Sequence, residues 1–136
     1  MNTSKKIYFS GSIRGGRQDV NIYSELILEL KKYGTVLTEH IGHETIDHEL
    51  SDPEIYEQDM NWLREADIIV AEGSTPSLGV GYEIGRAVAM GKRVVCLYRT
   101  ENQNPLSAMI NGAPEIDCFT YGDIEEAKRI IENIGL

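Results

Sequence analysis

The sequence predicts an α/β fold, a flavodoxin-like three-layer sandwich around a five-stranded parallel sheet in the order 2-1-3-4-5. Three observations predict it. Apolar periodicity switches repeatedly between short β-rich runs and helical spacing. Strand-sized and helix-sized segments alternate from end to end. Gly, Pro and polar residues punctuate the joints. Strands alternating with helices at this spacing need right-handed crossovers, which place helices on both sheet faces.

The elements follow in order. KKIYFS (5–10) reads as the first strand, and DVNIYSELILELKKYG (19–34) as a helix with Ile22, Leu26, Leu30 and Tyr33 on one stripe. TVLTE (35–39) reads as the second strand. DPEIYEQDMNWLREA (52–66) is a predicted helix with Asp52 as N-cap and Pro53 at its first position. DIIVAE (67–72) supplies the third strand. PSLGVGYEIGRA (76–87) opens a helix that ends at Gly91. KRVVCLYR (92–99) is the fourth strand, NPLSAMING (104–112) a short helix, DCFTY (117–121) the fifth strand and DIEEAKRIIENIG (123–135) the terminal helix.

A length of 136 residues suits one domain over 1–136 with a single core. With 41% hydrophobic and 26% charged residues and no Pro- or Ser-rich tract, the composition is that of a globular protein rather than a disordered one. MNTSKKIYFS passes from lysines into a strand pattern with no secretory apolar region, so a cytoplasmic location is expected, with no membrane association. Cys96 and Cys118 lie in strand-like runs and read as core thiols. The net charge of −9 repels polyanions, which argues against a nucleic-acid polymer or an anionic membrane surface as partner. A small anion held by a local site is compatible with it.

In this strand order, ligands bind at the carboxyl ends of strands 1 and 3. SGSIRGGR (10–17) and EGSTPSLGVGYE (72–83) therefore lie side by side. The first turn matches neither a dinucleotide fingerprint nor a P-loop. It carries Arg14 and Arg17 and feeds a helix N-terminus, while the second places Ser77 as N-cap of the next helix. Two anion-friendly helix starts at one edge suggest a phosphate.

Gly79, Gly81 and Gly85 each cost a helix interior roughly 0.5–1 kcal/mol relative to Ala. Helical side chains lean toward the N-terminus, so the Glu83 carboxylate is expected over the turn holding Gly79, where the missing side chain leaves room for a ligand. The other reading has Gly81 and Gly85 permitting close helix-to-sheet packing, with Glu83 solvated. Asp59 shares an apolar stripe with Ile55, Trp62 and Leu63, and desolvation there would raise its pKa and keep a proton available for general-acid work. A structural hydrogen bond is the alternative for Asp59. Tyr8 lies in strand 1, two residues before Ser10 and on the same side of the pleat, within possible reach of either acid. His40, His43 and His48 sit in a polar stretch without rigid metal-ligand spacing, and no metal is expected there. His40 stands just beyond strand 2, where it can meet a substrate.

Together YFSGSIRGGR (8–17), VLTEH (36–40), YEQDMNWLREAD (56–67), PSLGVGYEIGRAVA (76–89) and LSAMINGA (106–113) closely resemble the 2′-deoxynucleoside 5′-monophosphate N-glycosidase (Rcl) family, relatives of the nucleoside 2-deoxyribosyltransferases. The resemblance spans nearly the whole chain. It implies hydrolysis of the base–deoxyribose bond of a deoxynucleotide to free base and 2-deoxyribose 5-phosphate through a covalent glycosyl-enzyme, with no cofactor. Under it, Glu83 is the nucleophile, Asp59 the acid and Tyr8 their hydrogen-bonding helper. Ser77 and Gly79 become phosphate ligands, and Gly11, Ser12, Ile13, Arg14, Gly15, Gly16, Arg17 and His40 surround sugar and base. Ser107 and Met109 come from the neighbouring subunit of a homodimer, and Ala108 between them joins the substrate-binding residues. The stretch 41–54 departs from the family pattern and leaves base preference open. The alternatives are a deoxyribosyltransferase, a CMP-type ribonucleotide N-glycosidase and a nucleotide-binding sensor without catalysis.

Overall fold

The computed structural model describes residues 5–13, 19–43, 50–101 and 104–136. Strand β3 (Ile68–Glu72) is buried at every position, as a continuous apolar run in the middle of a parallel sheet requires. It pairs with β1 (Lys6–Ser10) on one side and β4 (Arg93–Arg99) on the other. The outer strands are β2 (Thr35–Val36) beside β1 and β5 (Ile116–Tyr121) beside β4. All pairings are parallel, in the order 2-1-3-4-5. The fold is therefore the expected flavodoxin-like α/β arrangement.

Strand alternation splits the core in two. Ile7, Phe9, Ile68, Val70, Val95 and Leu97 point to the face covered by α1 (Val20–Leu30) and α5 (Ile124–Asn133). Tyr8, Ile69, Ala71, Val94 and Cys96 point to the opposite face, covered by α2 (Asp52–Glu65), α3 (Leu78–Ala89) and α4 (Ala108–Asn111). Cys96 is buried there with a free thiol, and Cys118, also free, is half-buried on the neighbouring strand.

Several boundaries differ from expectation. The second strand stops at Val36 rather than 39. Leu37 still donates to the Ile7 carbonyl, but then the Thr38 hydroxyl takes over, accepting from the Phe9 amide at 2.9 Å and donating to the Phe9 carbonyl at 2.6 Å. A side chain satisfies the β1 backbone there, and the chain turns away into a 3₁₀ turn, Glu39–Gly42. The α2 N-cap is Ser51 rather than Asp52. Its hydroxyl accepts from the Glu54 amide while Glu54 accepts from the Ser51 amide, a reciprocal capping box. Helix α1 ends at Leu30 and α4 spans only 108–111, both shorter than the apolar spacing suggests. Asp123 caps α5 and Ser77 caps α3.

Candidate active site

The parallel register puts Ser10 of β1 beside Ala71 of β3. The carboxyl ends of both strands thus open on one cleft of about 1500 Å³, lined by Gly11 and Ile13 just after β1, by Asp59 and Trp62 of α2, and by Ser77 through Glu83 from the N-cap and first turns of α3. Two carboxylates meet in it. Glu83, in the second turn of α3, accepts the Ser10 hydroxyl at 2.6 Å and a hydrogen bond from Tyr8. Tyr8 and Ser10 share one face of β1 because they are two residues apart.

Burial pushes the Glu83 carboxyl up to about 7, opposed by the Ser10 and Tyr8 hydrogen bonds and reinforced by the charge of Asp59. Desolvation alone pushes Asp59 up to about 6. Tyr8 is 2% exposed, and its hydroxyl pKa is raised by burial and then by the charges of Glu83 and Asp59, so it stays protonated as a donor. Two titratable acids poised near neutrality and a buried donor can share a proton and hold one carboxylate ionised.

The glycines of α3 divide. A Cβ at Gly81 or Gly85 would meet nothing within 4 Å, so neither is required for packing against the sheet. Gly79 and Gly81 instead line the cleft, which keeps it open beside the first turn of the helix. Ser77 accepts from the Val80 amide at 3.3 Å as the N-cap, leaving the earlier amides of the turn available to an anion. Gly11 is a case of close approach: a Cβ there would lie 2.9 Å from the Tyr23 ring and 3.1 Å from that of Phe9.

The other candidates fall unevenly. His40 lies in the 3₁₀ turn and lines the cleft, its ring 5.5 Å from that of Trp62. Ser12 is fully buried beneath the cleft, its amide donating to the Tyr23 hydroxyl at 3.0 Å. Arg14, Gly15, Gly16, Arg17 and His48 lie outside the described residues, as does the part 44–49 of the divergent stretch 41–54. Ser107 caps α4 and borders the cleft of its own chain, whereas Ala108 and Met109 are exposed and do not line it. Among the described residues, no three His, Cys, Asp or Glu side chains converge as a metal-ligand group. Ser10 and Trp62 were absent from the expected site. The position of Ser10 two residues beyond Tyr8 was the available signal for the first.

A family model described as nucleoside 2-deoxyribosyltransferase matches residues 7–133. The chain belongs to that family. The chain is 49% identical to 5-hydroxymethyl-dUMP N-hydrolase of Danio rerio over 132 residues, which cover 94% of this chain and 91% of the relative. The Homo sapiens protein of the same name is 48% identical over 127 residues, covering 90% and 73%. Among solved structures, the CMP N-glycosidase of Clostridium botulinum superposes with a TM-score of 0.70 at 20% identity over 94% of this chain and 98% of that one, a match of fold.

Proposed function

We propose that the chain, as one domain over 1–136, hydrolyses the N-glycosidic bond of 2′-deoxynucleoside 5′-monophosphates. The observation that carries this reading is the meeting of Glu83 and Asp59 in one cleft beside the N-terminus of α3. Glu83 in its ionised form, which the Ser10 and Tyr8 hydrogen bonds favour against burial, attacks the anomeric carbon as the bond to the base breaks, and Asp59 gives its proton to the departing base. Asp59, now a base, takes a proton from water as that water attacks the anomeric carbon, which frees Glu83 and yields 2-deoxyribose 5-phosphate. The transition state is oxocarbenium-like, so the adjacent carboxylate stabilises it throughout. This retaining course calls for carboxyl groups about 5–5.5 Å apart.

Ser77, Gly79 and the turn carrying Arg14 and Arg17 bind the 5′-phosphate, and His40 with Trp62 flanks the base. The names of the relatives make a 5-hydroxymethyl-pyrimidine deoxynucleotide the first substrate to try. The reading places the protein in the cytoplasm; no helix of the described residues is long and apolar enough to cross a membrane.

A homodimer with shared sites completes the proposal. Leu78 is 96% and Met109 83% exposed, on the two elements that flank the cleft, and these are side chains a second copy would cover. In that arrangement Ser107, Ala108 and Met109 of one chain approach the phosphate bound by the other.

The deciding test is a panel of ribo- and deoxyribonucleoside monophosphates and their nucleosides, read by release of free base. Release from deoxynucleotides is expected, with the 5′-phosphate worth orders of magnitude in kcat/KM. The family description favours one second reading, sugar transfer. Formation of a new nucleoside when a second free base is added, at equal efficiency with and without the phosphate, would establish transfer instead.

A further inference from the structure

Glu72 ends β3 with 0% of its surface exposed, yet the chemistry above makes no use of it. Its carboxylate accepts the Ser74 amide at 2.9 Å, the Ser74 hydroxyl at 2.7 Å and the hydroxyl of Tyr121 at the end of β5. Ser74 in turn accepts the Arg99 amide at 2.9 Å, at the end of β4. Arg99 pairs with Asp19 at 3.0 Å, and the other Asp19 oxygen accepts the Thr75 hydroxyl at 2.7 Å. Asp19, itself 6% exposed, stands at the start of α1. Three donors on Glu72 suit an ionised carboxylate, and burial raises its pKa against their pull.

These bonds converge on one segment. Residues 73–75 leave β3, cross the end of β4 and lead through Pro76 to Ser77, the N-cap of α3. The crossing is tight: the Gly73 amide donates to the Leu97 carbonyl at 2.9 Å, and a Cβ on Gly73 would lie 3.1 Å from the Cys96 sulfur. A fully satisfied buried polar network makes the backbone it holds rigid. Removing one partner of a buried charge leaves that charge uncompensated, so such a network settles into one arrangement.

We infer that Glu72 is a positioning residue for the phosphate: through Ser74, with Tyr121 fixing its carboxylate, it sets the segment 73–77 so that the first turn of α3 presents Ser77 and the Gly79 amide to the 5′-phosphate. This rests on the nucleotide hydrolase reading above. Glu72 does not touch substrate; Asp59 stands on α2, and Glu83, although it stands on α3, has its carboxylate fixed by the Ser10 hydroxyl of β1. A defect at Glu72 therefore falls on phosphate recognition and leaves bond cleavage intact.

The experiment compares wild type, Glu72→Gln and Tyr121→Phe on a deoxynucleoside 5′-monophosphate, on the matching unphosphorylated deoxynucleoside, and for inhibition by inorganic phosphate. Glu72→Gln is expected to lower kcat/KM on the nucleotide by up to roughly 10²-fold, the scale of a misplacement of about 1 Å in a positioned group. The loss appears in KM, the inorganic phosphate inhibition constant rises in parallel, and activity on the nucleoside is unchanged. Tyr121→Phe, which deletes one hydroxyl, follows in the same direction with a smaller change and carries the test if Glu72→Gln does not fold. Equal losses on nucleotide and nucleoside, or unchanged phosphate inhibition, overturn the inference while leaving the hydrolase reading standing. If wild type releases no base from either substrate, the hydrolase reading fails. Calorimetric titration with inorganic phosphate then decides Glu72: tighter binding to wild type than to Glu72→Gln supports the inference, and equal or undetectable binding overturns it.

Discussion

In the proposed mechanism Glu83 is the residue whose chemistry and environment conflict most sharply: it must be ionised to attack, yet its surroundings favour the protonated form. Glu83→Gln keeps the shape and removes the charge, so base release is expected to fall by more than roughly 10³-fold while calorimetric binding of the nucleotide persists. Near-normal release would take Glu83 out of the mechanism. In the proposed mechanism the reacting state has a proton on Asp59 and none on Glu83, the minority arrangement when Glu83 carries the higher pKa. Below about 6 both acids are protonated and the nucleophile is lost; above about 7 both are ionised and the acid is lost. A narrow bell of kcat/KM with its maximum between those values is expected, and Asp59→Asn should abolish its alkaline limb. The same shift bears on stability. The folded state raises Glu83 from 4.5 to about 7, so its favourable contribution is complete below the lower value and is lost as pH rises through the upper one. Glu83→Gln should accordingly melt above wild type at about pH 8, with the difference vanishing near pH 4 on a thermal denaturation series. Tyr8, Asp59 and Glu83 were legible because helical and strand periodicity fix which face each side chain takes. Ser10 was not, since a serine inside SGS reads equally well as turn chemistry.

Helix α3 shows how an element divides its glycines between folding and function. Gly91 follows its end with φ at +75°, a conformation that costs an L-residue roughly 1–2 kcal/mol. Gly91→Ala should lower Tm by a few degrees and leave turnover per folded molecule unchanged. Gly81 has an ordinary helical backbone and open space where a methyl would go, so Gly81→Ala should stabilise the helix by roughly 0.5–1 kcal/mol. That methyl enters the cleft, and KM for the nucleotide should rise, as a steady-state comparison of the two variants will show. Element order and most helix starts were legible from capping and periodicity. The early end of β2 was not, because it depends on Thr38 bonding to Phe9, residues 29 apart in the chain. Local pattern carries no record of such a partner.

At the scale of the molecule, the strand order was readable because alternating strands and helices leave few topologies, and the site followed from the edge where strands 1 and 3 end. The buried Glu72 cluster was invisible for the reason that hid Thr38: Tyr121 is 49 residues away. The assembly can be tested by mixing two inactive chains, Glu83→Gln and Ser107→Asp. With shared sites, each heterodimer holds one intact site, and activity should return to roughly a quarter of wild type after subunit exchange. Because Ser107 also borders its own chain's cleft, no recovery on mixing would mean that each site is built within one chain. The Glu72 cluster also orders events during synthesis. Its members run from residue 19 to residue 121, so a growing chain has placed Glu72 at the end of β3 well before Tyr121 leaves the ribosome. Until then the carboxylate has only the Ser74 amide and hydroxyl and lacks its third donor, a deficit of about 1.5–3 kcal/mol against a total stability on the order of 5–15 kcal/mol. An unfinished chain thus cannot complete the cluster that fixes the turn after β3, and that turn reaches its final setting only when the last strand docks.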